Sequence, residues 1–225
     1  AGAGETFLDK KRIALAGLAM LVAVEHVHAA TQLQIDTART KAAAWLITQQ
    51  KGDGNWTSGQ GADISVTAQV TAGLLAAGVK GFPVNNAGAW LGNVDAQSVD
   101  ALARQIRTKV VPFANLSAQH DKLLTWKTYP TRSVWGSYPQ YGTSFSDTGL
   151  AILATVPFTY GTQSSELGNA VYCSILPAQT AAGGWPHIPA TMTATVPSSA
   201  SSGAVLPTTM TVLALNAVRA KFGWD

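Results

Sequence analysis

From Thr31 onward the apolar positions recur every three to four residues, the period of a helix with one face turned inward. Ile35, Ala38, Ala42, Trp45 and Leu46 share one such face, and Val66, Val70, Gly73, Leu74 and Ala77 share the next. Gly78 and Gly81-Phe82-Pro83 predict the end of the second helix, since glycine closes and proline blocks a helical run. A third helix is predicted from about Asn86 through Trp90, Leu91 and Val94, and a fourth through Val99, Leu102, Ala103, Ile106 and Val110 before Pro112. The stretch through Trp126 carries no clear period. Helical spacing resumes at Phe145 to Val156, Leu167 to Ile175 and Pro207 to Phe222. The pattern predicts roughly eight helices and no strand of convincing length, an all-α chain.

The helical segments repeat as pairs. Trp45 to Gln50 leads to Gly54-Asn55-Trp56 and then to an apolar helix carrying Thr67, Thr71, Leu74 and Leu75. Tyr172, Leu176 and Gln179 lead to Gly183-Gly184-Trp185-Pro186 and then to Thr208, Thr209, Leu213 and Leu215. Between them Trp135-Gly136-Ser137-Tyr138 precedes Thr143, Ser144, Asp147 and Thr148, while Ala89-Trp90-Leu91 keeps only the helical half. Glycine permits the reversal, tryptophan covers it with apolar area, and a glutamine amide satisfies backbone groups at the helix end.

This unit resembles the QW-type repeat of the squalene cyclase and protein prenyltransferase superfamily, from Ala38 to Val218 in three clear copies and one degraded copy. The resemblance implies helical hairpins arranged as an arc or a reduced α/α toroid, because a full ring needs about twelve helices. It does not carry that superfamily's chemistry across. The Asp-x-Asp-Asp acid of the cyclases is missing, and Asp147 stands in Ser146-Asp147-Thr148 as the expected N-cap of a helix starting near Thr148. The Asp-x-Cys pair of the zinc-dependent prenyltransferases is missing too, and Cys173, on the apolar face of its segment, is expected to be a buried, inert thiol. Cys173-Ser174-Ile175-Leu176 is not the thioester sequence of related toroids, and the acidic clusters of toroidal pectate lyases are absent although Gly183-Gly184-Trp185-Pro186 is similar to their turns. No catalytic residue, metal or cofactor is expected. Trp135, Tyr138, Tyr141, Asp147, Trp185 and His187 are the candidate binding residues, with a sugar suited to the exposed Trp, Tyr and His among them.

Composition narrows the partners. Charged residues are only 12% of the 225, against 47% hydrophobic, and the net charge of +3 is nowhere concentrated beyond Lys10-Lys11-Arg12. No basic stripe exists to neutralise a run of phosphates, which excludes nucleic acid. The residues before Thr31 behave differently from the repeats. Lys10-Lys11-Arg12, the apolar run Ile13 to Val24 and Val27-His28-Ala29 have the three-part order of a secretory signal cut near Ala29. If retained, the same run is an apolar helix that must be enclosed by a membrane, a partner subunit or further copies of the chain. Glu5 with this run also resembles a type IV pilin, although Asp9 to Arg12 interrupt the apolar stretch that such a helix needs. Glu25-His26-Val27-His28 is no metal site, because positions i and i+2 on a helix diverge. The sequence therefore predicts residues 1–30 as a signal-like or anchoring helix and 31–225 as the repeat domain. The expected protein is secreted or held in the cell envelope and serves binding or assembly, with membrane or subunit contacts, a homo-oligomer or a filament, through Ile13 to Val24. The alternatives are a cyclase-like or polysaccharide-lyase-like enzyme and a pilin-like filament or membrane-complex subunit.

Overall fold

The computed structural model describes residues 30–57, 63–108, 113–128, 133–139, 141–159, 164–187 and 203–223. The expected helix at Ile13 to Val24, the Glu25 to His28 cluster and most of the Ser/Thr-rich stretch 190–203 lie outside them. Among the described residues 69% are helical and none forms a strand, so the chain is all-α. Eight α-helices occur there: α1 (Gln32–Thr48), α2 (Asp63–Ala76), α3 (Phe82–Asn93), α4 (Val99–Arg107), α5 (Phe113–Thr125), α6 (Phe145–Thr155), α7 (Ser164–Ala170) and α8 (Val205–Phe222). A 3-10 turn follows α6, and α7 continues as a π-turn over Val171–Ile175 and a 3-10 turn over Leu176–Ala178.

Two compact units divide at residue 42. The described part of the first is the start of α1, opened by a capping box: Thr31 Oγ1 accepts from the Gln34 backbone N–H at 3.2 Å and Gln34 Oε1 accepts from the Thr31 N–H at 2.8 Å. Of the stripe predicted to be inward-facing on α1, Ile35, Ala38, Ala42 and Trp45 are exposed and Leu46 is half-buried; the buried residue of the helix is Ala43.

In the second unit α2, α4, α6 and α8 pack on one another in chain order, while α3 lies on α2 and α5, and α5 on α4 and α6. Two apolar clusters result. A small one joins Ala43, Trp56, Leu74, Val84 and Ala87, and a large one runs from Ala68 and Leu91 through α4 and α6 to Ala214 and Val218. The tightest approach is at Gly149 of α6, where a Cβ would stand 2.8 Å from the Met210 carbonyl carbon and oxygen of α8. Only glycine lets the two backbones come that close.

The helix limits correct several sequence expectations. Phe82-Pro83 opens α3 instead of blocking its predecessor, with proline in the first turn where a missing N–H costs nothing. The aperiodic stretch before Trp126 is α5. Asp147 is not an N-cap: α6 starts at Phe145, and Ser144 Oγ is the cap, accepting from the Asp147 N–H at 3.4 Å. Cys173 is exposed, because the buried face of this segment runs through Leu167, Ala170, Val171, Ser174, Ile175 and Ala178 at ordinary helical spacing and position 173 falls on the opposite side.

Candidate functional site

The three tryptophan turns are one device used three times. The indole N–H of Trp56 donates to the Leu46 carbonyl at 2.8 Å, that of Trp135 to Leu123 at 2.8 Å and that of Trp185 to Ile175 at 2.7 Å. Each acceptor is a carbonyl near the end of the preceding helical segment, where backbone donors run out; those of Leu46 and Leu123 also accept the N–H three residues on, of Gln49 at 3.1 Å and of Trp126 at 3.2 Å. The backbone N–H of the same tryptophan donates at 3.0 Å to a threonine hydroxyl of the following helix, Thr67, Thr148 or Thr208. Two turns also share a glutamine clamp: the Gln50 amide donates to the Gly54 carbonyl and the Gln179 amide to the Gly183 carbonyl, each at 2.9 Å. Both glycines hold positive φ, 100° and 87°. With rings only 5%, 1% and 3% exposed, Trp56, Trp135 and Trp185 are structural locks. Trp135 and Trp185, expected to line a binding surface, therefore present no face to a ligand.

The other candidates gather around the start of α6. The segment from Trp135 to Ser144 doubles back through an antiparallel bridge between Gly136 and Thr143, and the Tyr141 N–H closes its tip on the Tyr138 carbonyl at 3.1 Å. Tyr138 and Tyr141 stand exposed there, edge to face, with ring centroids 6.0 Å apart. Behind the tip, Ser137 Oγ donates to Asp147 Oδ2 at 3.0 Å, so the buried carboxylate anchors the loop. His187 is exposed, with Nδ1 3.2 Å from Ser146 Oγ, and its carbonyl accepts from the Phe145 N–H. Asp147 thus braces the loop that displays the tyrosines, and His187 is tied to the start of α6 behind it.

That loop is fastened to α4 as well, through the Val99 N–H donating to the Ser137 carbonyl at 3.0 Å. Tyr138 consequently reaches a cavity of about 410 Å³ at the N-terminal ends of α2 and α4, shared with Asp63, Ser65, Trp90, Asp95, Gln97 and Ser98. Asp63 Oδ1 is buried and without a hydrogen-bond partner among the described residues. Asp95 is held ionised: the hydrogen bond from Lys122 and then its positive charge lower the carboxyl below the ordinary aspartate value. An aromatic pair, two carboxylates, an amide and two hydroxyls around one space can offer ring faces to C–H groups and donors and acceptors to hydroxyls. Of this set the sequence pattern singled out Tyr138 alone as a binding residue. The signal for the rest is the degraded repeat, where Trp90 lies in a helix and no tryptophan occupies the turn after it.

No three His, Cys, Asp or Glu side chains among the described residues converge as a metal-binding group. No described helix is long and apolar enough to cross a membrane. No family model matches the chain, and no curated protein is significantly similar to it.

Proposed function

We propose that the chain is a non-catalytic binding domain, an arc of αα hairpins of the α/α-toroid kind, whose cleft at the starts of α2 and α4 holds a saccharide. The observation that carries this reading is the cleft itself, where Trp90 and Tyr138 share one cavity with Asp63, Gln97 and Ser98. The serial packing of α2, α4, α6 and α8 supports the arc. Non-catalytic binding is favoured because Asp95, paired with Lys122 and held ionised, is unsuited to be the proton donor that a carboxylate-pair hydrolase needs. In the same proposal the domain works outside the cytoplasm, with Ile13 to Val24 as its signal or as its contact with a membrane or other subunits.

Titration calorimetry of the chain with a series of neutral oligosaccharides tests the reading. One of them is expected to bind saturably, and Tyr138→Ala to weaken it about tenfold, the scale of one aromatic contact. Absence of binding across the series, or an unchanged affinity in Tyr138→Ala, overturns the saccharide assignment. Reducing ends or unsaturated products released on incubation would overturn the non-catalytic part and return the enzyme alternative.

A further inference from the structure

A second cavity lies farther along the seam between α2 and α4. It encloses about 410 Å³ and is lined by Ala68, Gln69 and Ala72 of α2 and by Arg104, Arg107 and Thr108 at the end of α4. The two arginines differ in their partners. Arg104 is neutralised by Asp100, with Nε 2.9 Å from both carboxylate oxygens and Nη2 2.8 Å from Oδ1, and Asp100 also receives the Ser65 hydroxyl at 2.9 Å. Arg107 has no hydrogen bond or ion pair among the described residues. A cation in the last turn of a helix is favoured by the helix dipole, which accounts for an arginine at either position. Arg107 is exposed, so its fork is open to a ligand that enters the space it lines with Arg104. Partial desolvation, and then the neighbouring Arg104, lower the Arg107 pKa from the ordinary arginine value, yet the group stays charged at any physiological pH.

We propose that this cavity is an oxyanion site for the carboxylate or phosphate group of a small ligand. Arg107 supplies the planar fork that matches two oxygens of such a group. The N–H groups that Arg104 does not spend on Asp100, and the exposed Gln69 amide, complete the donor set. The small side chains of Ala68 and Ala72 leave room for the anion. With Asp100 cancelling Arg104, the site carries one net positive charge, which one bound anion neutralises. The inference is independent of the saccharide cleft.

Calorimetric titration of the whole chain with sodium phosphate and with sodium acetate, against sodium chloride at equal ionic strength, tests it. Saturable binding of phosphate or of acetate beyond the chloride response is expected, and the anion preferred identifies the group the site takes. Arg107→Gln should weaken that binding about tenfold or more, the scale of a charge-assisted hydrogen bond. Gln69→Ala, on an exposed position of α2, should weaken it about threefold, as expected for a neutral donor, and decides the matter if Arg107→Gln does not fold. A response no greater than chloride's, or affinities unchanged in the folded variants, overturns the site.

Discussion

The turn between α3 and α4 and the three tryptophan turns solve the same problem with different groups. In α1, α3 and α5 the carbonyl third from the helix end, that of Leu46, Leu91 or Leu123, needs a donor from outside the helix. Leu46 and Leu123 take an indole N–H beside the backbone N–H of Gln49 or Trp126. Leu91 takes two amides, Gln105 of α4 at 2.9 Å and Gln119 of α5 at 3.0 Å, and the Gln105 amide also serves the Val94 carbonyl. The hydrogen-bonding demand is met in both designs, but the volume is not. An indole fills the turn it locks, whereas two amides reach their acceptor from neighbouring helices and leave the turn itself unfilled. Both the cavity that Trp90 shares with Tyr138 and a further cavity of about 360 Å³, lined by Gly92, Asp95, Asn115 and Lys122 among others, flank residues 92–98. The turn without a tryptophan is the one that both cavities flank.

The largest expected effect tests the lock. Trp135→Ala removes a ring at 1% exposure together with the donor to Leu123, and should cost about 3–5 kcal/mol in urea unfolding. A cost below about 1 kcal/mol would mean that the indole neither fills nor holds the turn. Next in size is the amide lock. Gln105→Ala leaves the Val94 carbonyl without its amide donor and opens a cavity at a fully buried position, for about 2–3 kcal/mol, whereas Gln119→Ala leaves Gln105 on Leu91 and should cost about 1 kcal/mol. Because both amides share one acceptor, the double variant should cost more than the sum of the two. Strict additivity would show that Leu91 does not couple them.

This contrast also separates what was legible in the sequence from what was not. The hairpin repeat and its three tryptophans are written locally, as glycine, tryptophan and threonine at recurring offsets, and helical period located most elements. The α3–α4 turn could not be read the same way, since its donors come from Gln105 and Gln119, 14 and 28 residues beyond Leu91, and no local pattern announces a partner at that range. α5 escaped detection for a related reason. Asn115, Gln119 and Lys122 occupy positions where the period calls for apolar residues, and they are there to donate to Gly92, Leu91 and Ala96 of the neighbouring turn. Of the candidate site, Tyr138 and Tyr141 were legible as aromatics in a turn, and Asp147 and His187 as polar groups beside it. Asp63, Trp90 and Gln97 join only through the packing of α2 on α3 and α4. Cys173 was misplaced although the period itself excludes it, since Leu167, Ala170, Val171, Ser174 and Ile175 form the buried face and Cys173 lies opposite.

The smallest expected effect concerns acid, and it sets the two kinds of turn apart by charge. The indole-to-carbonyl locks contain no titratable group, so their strength should not change as pH falls. The α3–α4 turn is instead tied to α5 by Lys122, whose ammonium bonds Asp95 and the Ala96 carbonyl and lies 4.7 Å from the centre of the Trp126 ring. The Lys122 hydrogen bond, its charge and a smaller contribution from Gln97 lower the Asp95 carboxyl below its ordinary value, outweighing desolvation. A carboxyl whose folded value is depressed contributes stability above its unfolded value, near pH 4, and loses it as pH falls through the lower folded value. Asp95 is exposed, so water screens the pair and the contribution is small. It is best read at the group itself: the side-chain carboxyl carbon of Asp95, followed by NMR, should titrate below the ordinary aspartate midpoint in the native chain and return to it in Lys122→Met. An ordinary midpoint in the native chain would mean that Lys122 holds the turn through the Ala96 carbonyl and Trp126, with the carboxylate left free to meet a ligand.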